Sequence, residues 1–198
     1  MHQCHTKRVQ SKRNAIVNKS PCLPTEHNPV RTLTQAVEWT TAVAQRRPKV
    51  AELRNKLLAI GGRNFVFCPF YGLELAEVHL EMLACFVLDR GVFLGPPALI
   101  VPGLDSICYV NTALRWKVYG WPIGAGFALT SSDFLWWPNS INFSPTGAVI
   151  ESQTNTTANY AFRLTESECA AFYVAEVVKG DTFRLARQHA IENPNWRQ

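Results

Sequence analysis

The sequence predicts an α+β protein with a mostly antiparallel sheet of short strands, between about residues 95 and 164, packed with amino-terminal helices and two carboxy-terminal helices. Apolar residues recur at helical spacing before residue 62 and again after residue 165. Between residues 91 and 150, short apolar segments alternate with Gly, Pro and aromatic residues, as is typical of strands joined by turns. A hydrophobic fraction of 47% supplies enough apolar side chains for a core.

Residues 1–30 are predicted to form a basic, disordered arm. They are polar, contain three prolines and offer few large apolar side chains for burial. The 198-residue chain has a formal net charge of +5, and this charge is unevenly distributed. Residues 1–63 hold 12 Lys and Arg against three acids, whereas residues 64–198 hold 8 against 12. A basic front region on a mildly acidic body favours an anionic partner.

A helical hairpin is predicted over residues 31–62. Its first helix runs from about Thr34 to Gln45, with Thr32 or Thr34 as the N-cap. The second fits Pro48–Ile60, because proline is tolerated in the first turn and Gly61 can end the helix.

The remaining residues, 63–198, are predicted to form the α+β core domain. Asn64–Cys68 fits a short buried strand. Leu73–Leu88 fits a helix better than a strand, since it is long and lacks Gly and Pro, although parts of it also alternate. The other strand candidates are Ala98–Val101, Ser106–Val110, Ala113–Tyr119, Gly126–Thr130, Ala148–Glu151 and Tyr160–Leu164.

Two helices are predicted at the carboxy-terminal end. Thr165 and Glu168 match a capping box, which predicts a helix that continues to about Lys179. A last helix runs from Asp181 to about Glu192, before Pro194.

Composition and spacing argue against several protein classes. The longest charge-free stretches are shorter than about 18 residues and are broken by proline, so no membrane span is expected. The amino terminus has no apolar region typical of a secretory signal, which predicts a cytoplasmic protein with reduced cysteines. The six cysteines form no C-x-x-C pair, and His2, Cys4, His5, Cys22 and His27 are irregularly spaced. We therefore predict no metal, cofactor or small-molecule ligand.

The leading functional hypothesis is a non-enzymatic accessory protein that binds nucleic acid or a nucleoprotein, with little dependence on base sequence. If Leu114–Trp121 is a strand, Arg115, Lys117 and Tyr119 share one face and suit phosphates and a stacked base. An ordinary solvated strand face is the alternative interpretation of this pattern. The predicted nucleic-acid contacts are Lys7, Arg8, Lys12, Arg13, Arg46, Arg47, Lys49, Arg54, Lys56, Arg115, Lys117 and Tyr119.

Two other functions remain open from the sequence. One interpretation of Trp136 and Trp137 is ordinary packing in the core or at its rim. If they instead lie on a strand, they point to opposite faces, so that one can enter the core while the other lies near the surface as a candidate anchor for a protein partner. Such a protein would be an inhibitor or an assembly factor. A small cysteine- or histidine-dependent enzyme would instead need side chains that converge in space, and no nucleophile motif surrounds them. Its candidate residues are Cys68, His79, Asp105, Asp133 and His189.

Overall fold

A computed structural model of the chain describes residues 32–67, 73–103 and 108–178, with the side chains of residues 73–75 excepted. The α-helices in these ranges are α1 Leu33–Arg46, α2 Pro48–Ile60, α3 Leu73–Arg90, α4 Cys108–Tyr119 and α5 Glu166–Tyr173, which continues as a π-helix over Val174–Val178. The strands are β1 Asn64–Phe65, β2 Val92–Gly95, β3 Leu99–Ile100, β4 Ile123–Thr130, β5 Leu135–Phe143, β6 Val149–Glu151 and β7 Thr156–Arg163. The predicted α+β fold, with a mostly antiparallel sheet, is confirmed.

The helices α1, α2 and α5 begin where the sequence signals predict. The Thr32 hydroxyl accepts the Gln35 backbone N–H, and the Gln35 side chain accepts the Thr32 N–H, both at 3.1 Å. Pro48 opens α2, and Thr165 with Glu168 forms the predicted capping box of α5. Leu73–Arg90 is a helix, as its length favoured.

The sheet has the strand order β2-β7-β4-β5-β6-β3, with β1 paired to β5 off this path. The β1–β5 and β3–β6 pairs are parallel and the others antiparallel. β2 and β3 lie at opposite edges, yet only residues 96–98 join them. Because a link of this length spans at most roughly 14 Å, the sheet must curl until its two edges approach each other.

The main core lies between the helices and one face of the sheet. Trp136, Phe127 and Tyr160 project from three neighbouring strands toward α1, α2 and α3. Leu53 and Leu57 of α2 are completely buried in the same cluster. Since burying a large apolar side chain stabilises a fold by about 1.5–3 kcal/mol, this shared cluster holds the helices on the sheet.

Two strand predictions are wrong. Ser106–Val110 and Ala113–Tyr119 overlap α4, and residues 104–107 lie outside the described ranges. Cys108, Thr112 and Arg115 are buried at helical spacing, and this period outweighs the alternation that suggested a strand. The other strand candidates coincide with strands in the structure, while β2 and most of β5 were not predicted. The arm of residues 1–30, Cys68 and the helix Asp181–Glu192 fall outside the described residues.

In the part of the chain that the structure describes, no helix combines the length and apolar character required to cross a lipid bilayer.

Candidate functional site

The cations at the corner between α1 and α2 are engaged by carboxylates of α3. Arg46 Nη2 lies 2.9 Å from Glu77 Oε2, and Arg47 Nε lies 2.8 Å from Glu77 Oε1. Arg47 Nη1 also lies 2.9 Å from Glu81 Oε2. Hydrogen bonds from Arg46, and then from Arg47, lower the pKa of the Glu77 carboxyl. We call these four residues the α1–α2 corner; its arginines are charge-compensated within the protein.

Two further predicted contacts also have internal partners. Lys49 Nζ lies 2.9 Å from Glu52 Oε2 on the surface of α2. Arg115 is only 7% exposed, and its guanidinium donates to the Val101 carbonyl. Burial lowers the pKa of Arg115. The prediction that Arg115 shares an exposed face with Lys117 is therefore wrong, because α4 turns Arg115 inward.

Lys117 and Tyr119 remain exposed at the end of α4. The Lys117 ammonium lies 5.8 Å from the centre of the Tyr173 ring. The Tyr119 ring packs on Trp121 with centroids 4.9 Å apart. These side chains offer a cation and an aromatic surface, but on a helix rather than on the predicted strand.

Arg54 and Lys56 of α2 have no carboxylate within ion-pair distance among the described residues. Arg54 Nε donates to Asn64 Oδ1 at 3.1 Å, and the Lys56 ammonium lies 5.2 Å from the centre of the Tyr160 ring. Both cations therefore keep an uncompensated charge. Lys7, Arg8, Lys12 and Arg13 lie outside the described residues.

The two tryptophans of β5 point to opposite faces of the strand, but neither is an open anchor. Trp136 is completely buried, and its indole N–H donates to the Gly61 carbonyl at 2.8 Å. The prediction of Trp136 as a partner contact is therefore wrong in the folded protein. Trp137 is half-buried, with its N–H donating to Asp133 Oδ2 at 3.0 Å. Exposed apolar side chains lie instead on α3, at Val78, Met82 and Phe86.

The residues considered for an enzyme are not assembled into a site in the described structure. Asp133 accepts hydrogen bonds from Thr130, from the Leu135 N–H and from Trp137, all within its own turn and strand. His79 is exposed on α3. The other three candidates, Cys68, Asp105 and His189, fall outside the described residues.

Cys108, the first residue of α4, is a buried thiol whose burial raises its pKa to about 12, which disfavours the nucleophilic thiolate. Within the described ranges, no three His, Cys, Asp or Glu side chains are placed to hold a metal ion.

An exposed aromatic side chain without a signal in the sequence lies at the turn between β4 and β5. Phe134 has a φ of +56° and is 50% exposed. The Arg63 guanidinium lies 5.4 Å from the centre of its ring. Arg54 is close by, because its partner Asn64 pairs with Leu135. We call Phe134, Arg63 and Arg54 the Phe134 platform; no periodic pattern or motif marks it in the sequence.

A buried polar cluster joins the strands β5, β6 and β7. Asn139 Nδ2 donates to Glu151 Oε2 at 2.6 Å and to Asn159 Oδ1 at 3.2 Å, and all three residues are at least 97% buried. Burial raises the pKa of the Glu151 carboxyl, although hydrogen bonds from the Ser152 and Gln153 backbone N–H groups oppose this shift. The cluster buries an ionisable group away from solvent, which makes folding sensitive to pH.

Comparisons of the chain with models of protein families, with curated proteins and with solved structures found no match.

Proposed function

We propose that the protein is a non-enzymatic accessory protein that binds nucleic acid or a nucleoprotein, largely without sequence preference, through its basic amino-terminal region. The observation that carries this proposal is where the positive charge resides. Residues 1–31 contain six Lys and Arg and one acid, whereas the described residues contain 10 Lys and Arg and 11 acids. The excess of cations over acids therefore lies outside the described residues, chiefly in residues 1–31, while residues 179–198 add four Lys and Arg and two acids.

The described structure narrows the proposed contacts. Phosphates must compete with carboxylates for the arginines of the α1–α2 corner, and with Glu52 for Lys49. Cations without a carboxylate partner can neutralise phosphates, and so release counterions from the nucleic acid, without first breaking an ion pair within the protein. We therefore assign the phosphate contacts to residues 1–31, supplemented by Arg54, Lys56 and Lys117 on the surface of the domain.

The expected site of action is the cytoplasm. Cys85, Cys108 and Cys169, the cysteines in the described ranges, are free thiols, which supports a reducing compartment. Such a compartment also contains abundant RNA as a polyanion.

The direct test compares the full chain with a variant in which Lys7, Arg8, Lys12, Arg13 and Lys19 are all replaced by Gln. Fluorescence anisotropy with mixed-sequence DNA and RNA probes, over a salt series, measures the affinity. We expect the variant to bind at least about tenfold more weakly in low salt. Its slope of log K against log salt should be shallower by roughly 0.7–0.9 for each lost phosphate contact.

A matched control permutes the order of residues 1–31 and keeps their composition. Binding by charge alone predicts that this variant retains the affinity of the wild type, because phosphate contacts carry no sequence information. Equal affinities of the wild type and the five-Gln variant, or binding that does not change with salt, would contradict the proposal.

A further inference from the structure

We propose that the Phe134 platform stacks an unpaired base, and therefore that the polyanion is single-stranded nucleic acid. This inference rests on the proposed function and names the class of ligand. Four observations support it: a strained backbone, an exposed ring, two cations without carboxylate partners among the described residues, and the position of the platform relative to residue 32.

The backbone at Phe134 is held in a conformation that a bulky residue rarely adopts. Three hydrogen bonds fix it: Phe134 N–H to the Thr130 carbonyl at 3.1 Å, Arg63 N–H to the Phe134 carbonyl at 2.7 Å, and Leu135 N–H to Asp133 Oδ1 at 3.0 Å. Among the described residues other than glycine, Phe134 alone has a positive φ. Strain of this kind costs roughly 1–3 kcal/mol and is concentrated at ligand-binding positions.

Burial of the Phe134 side chain does not offset this backbone strain. The Phe134 side chain is 50% exposed, whereas Trp136, two residues further along, is completely buried. A turn with glycine or asparagine at this position would form the same backbone without strain. A strained backbone that holds an aromatic ring half exposed to solvent is explained if the ring contacts a binding partner.

The arginines beside the ring suit a polyanion, whereas the adjacent Asp133 carboxylate is turned to Thr130, the Leu135 N–H and Trp137. Neither Arg63 nor Arg54 has a carboxylate within ion-pair distance among the described residues. Arg63 covers part of the Phe134 ring at 5.4 Å and is itself exposed. A base stacked on the ring would place its phosphates within reach of these guanidinium groups, as in proteins that bind single strands.

The platform also lies beside the first residues that the structure describes. Leu33, the first residue of α1, packs in one apolar cluster with Leu135, the residue after Phe134. The peptide bond between residues 31 and 32 therefore attaches the basic segment close to the platform. A nucleic acid bound by residues 1–31 would therefore lie close to the Phe134 ring.

A single strand fits this arrangement better than a duplex. Stacking requires the face of a base, and every base face in a duplex interior is already covered by its neighbours. One ring with flanking cations offers no element shaped for a groove. The platform therefore adds affinity for single strands alone, on top of the general attraction of residues 1–31 for phosphate.

The test replaces Phe134 with Gly in the full chain and measures anisotropy with a mixed-sequence 12-nucleotide DNA, the RNA of the same sequence, and the DNA duplex. We expect affinity for both single strands to fall by about tenfold and affinity for the duplex to stay within about twofold. The urea midpoint should equal or exceed that of the wild type, because glycine adopts a positive φ freely. Loss of binding then cannot be attributed to unfolding.

Two matched variants complete the experiment. Phe93→Ala removes another exposed ring, 55% exposed on the edge strand β2, and should leave single-strand affinity unchanged. Arg63→Lys keeps the charge but removes the planar guanidinium, and should weaken single-strand binding by about threefold.

The outcomes separate the two proposals. If wild-type protein binds both kinds of probe but Phe134→Gly has no effect, or weakens both equally, the platform is not a stacking site and the proposed function stands. If wild-type protein binds none of the three probes, the proposed function fails and the stacking site fails with it.

Discussion

The α1–α2 corner and the Phe134 platform use the same residue type from the same basic stretch of sequence, but in opposite ways. At the corner, Arg46 and Arg47 meet Glu77 and Glu81 at 2.8–2.9 Å. At the platform, Arg63 lies over an exposed ring and has no carboxylate partner among the described residues. Arginines that count equally in the sequence thus form two groups: structural arginines, which pair with carboxylates, and available arginines, which are free to bind an external anion.

The cause of this difference is the neighbouring element. Glu77 and Glu81 are one turn apart on α3, so both carboxylates face the same direction, toward the end of α1. The platform instead borders a turn and the short parallel pair of β1 and β5. The carboxylate of that turn, Asp133, accepts hydrogen bonds from Thr130, the Leu135 N–H and Trp137 and forms no ion pair with an arginine among the described residues. Availability for an external anion is therefore decided by the three-dimensional position of acids, not by the number of cations.

The largest effect is expected from releasing the arginines of the corner. The double variant Glu77→Gln/Glu81→Gln leaves Arg46 and Arg47 without their carboxylate partners. Affinity for single-stranded DNA should rise on the order of fivefold in low salt, and the salt slope should steepen by about 1.4, since each new phosphate contact adds about 0.7. Anisotropy titrations over a salt series measure both quantities.

A control variant, Glu38→Gln/Glu166→Gln, removes the same number of negative charges without releasing a paired arginine. It should change affinity less than the corner variant. If the two variants gain equally, net charge alone controls binding and the distinction between the two arginine groups has no functional meaning.

A smaller effect is expected on the free energy of unfolding, which should distinguish the arginines of the corner from those of the platform. Arg47→Ala should lower the free energy of unfolding, because it leaves two carboxylates of α3 close together without their shared cation. Arg63→Ala should change it by no more than about 0.5 kcal/mol, as is usual for surface substitutions. Single-strand affinity should show the reverse order, with Arg63→Ala the weaker binder. Urea unfolding ranks the two variants by stability, and anisotropy on the same preparations ranks them by single-strand affinity. If the same variant were the lower in both measurements, the distinction between structural and available arginines would be contradicted.

The sequence predicts local elements well where a side chain itself determines the structure. Thr32, Pro48 and the Thr165–Glu168 pair define helix starts through contacts within one turn, so the signal and its effect are close in sequence. α4 was mistaken for strands because its apolar and polar residues also alternate. Its true period is set by burial against β5, through contacts such as Thr112 with Ser140, 28 residues away.

The candidate site was less predictable for the same reason. Arg46 and Glu77 are 31 residues apart, and Arg63 and Phe134 are brought together only by the parallel pairing of β1 with β5. The cations could be counted from the sequence, but their partners could not. Trp136 and Trp137 were correctly expected on opposite faces of a strand, yet only the packing of α2 and Gly61 shows that Trp136 is inside.

The smallest effect is the pH dependence of the free energy of unfolding, to which Glu77 and Glu151 contribute with opposite signs. Arg46 and Arg47 lower the pKa of Glu77, so its stabilisation is present above the unfolded pKa of about 4.3 and is lost as pH falls through the folded pKa. Burial raises the pKa of Glu151, so stability is complete below about 4.3 and declines as pH rises through the folded pKa, because a buried carboxyl must then ionise.

The single variant Glu151→Gln should therefore gain stability relative to the wild type as pH rises above about 4.3. Glu77→Gln should be less stable than the wild type above about 4.3, and this deficit should disappear as pH falls through the folded pKa of Glu77. Urea unfolding at half-unit pH steps measures the two difference curves, with glutamine as the uncharged substitute of matched shape in each. If both variants were less stable than the wild type, the Glu151 carboxylate would be stabilised by its surroundings as fully as the Glu77 carboxylate is by its arginines. Attraction by Arg115 lowers the pKa of Glu151, but it is the weakest of the influences on that pKa, and we therefore expect the curves to diverge.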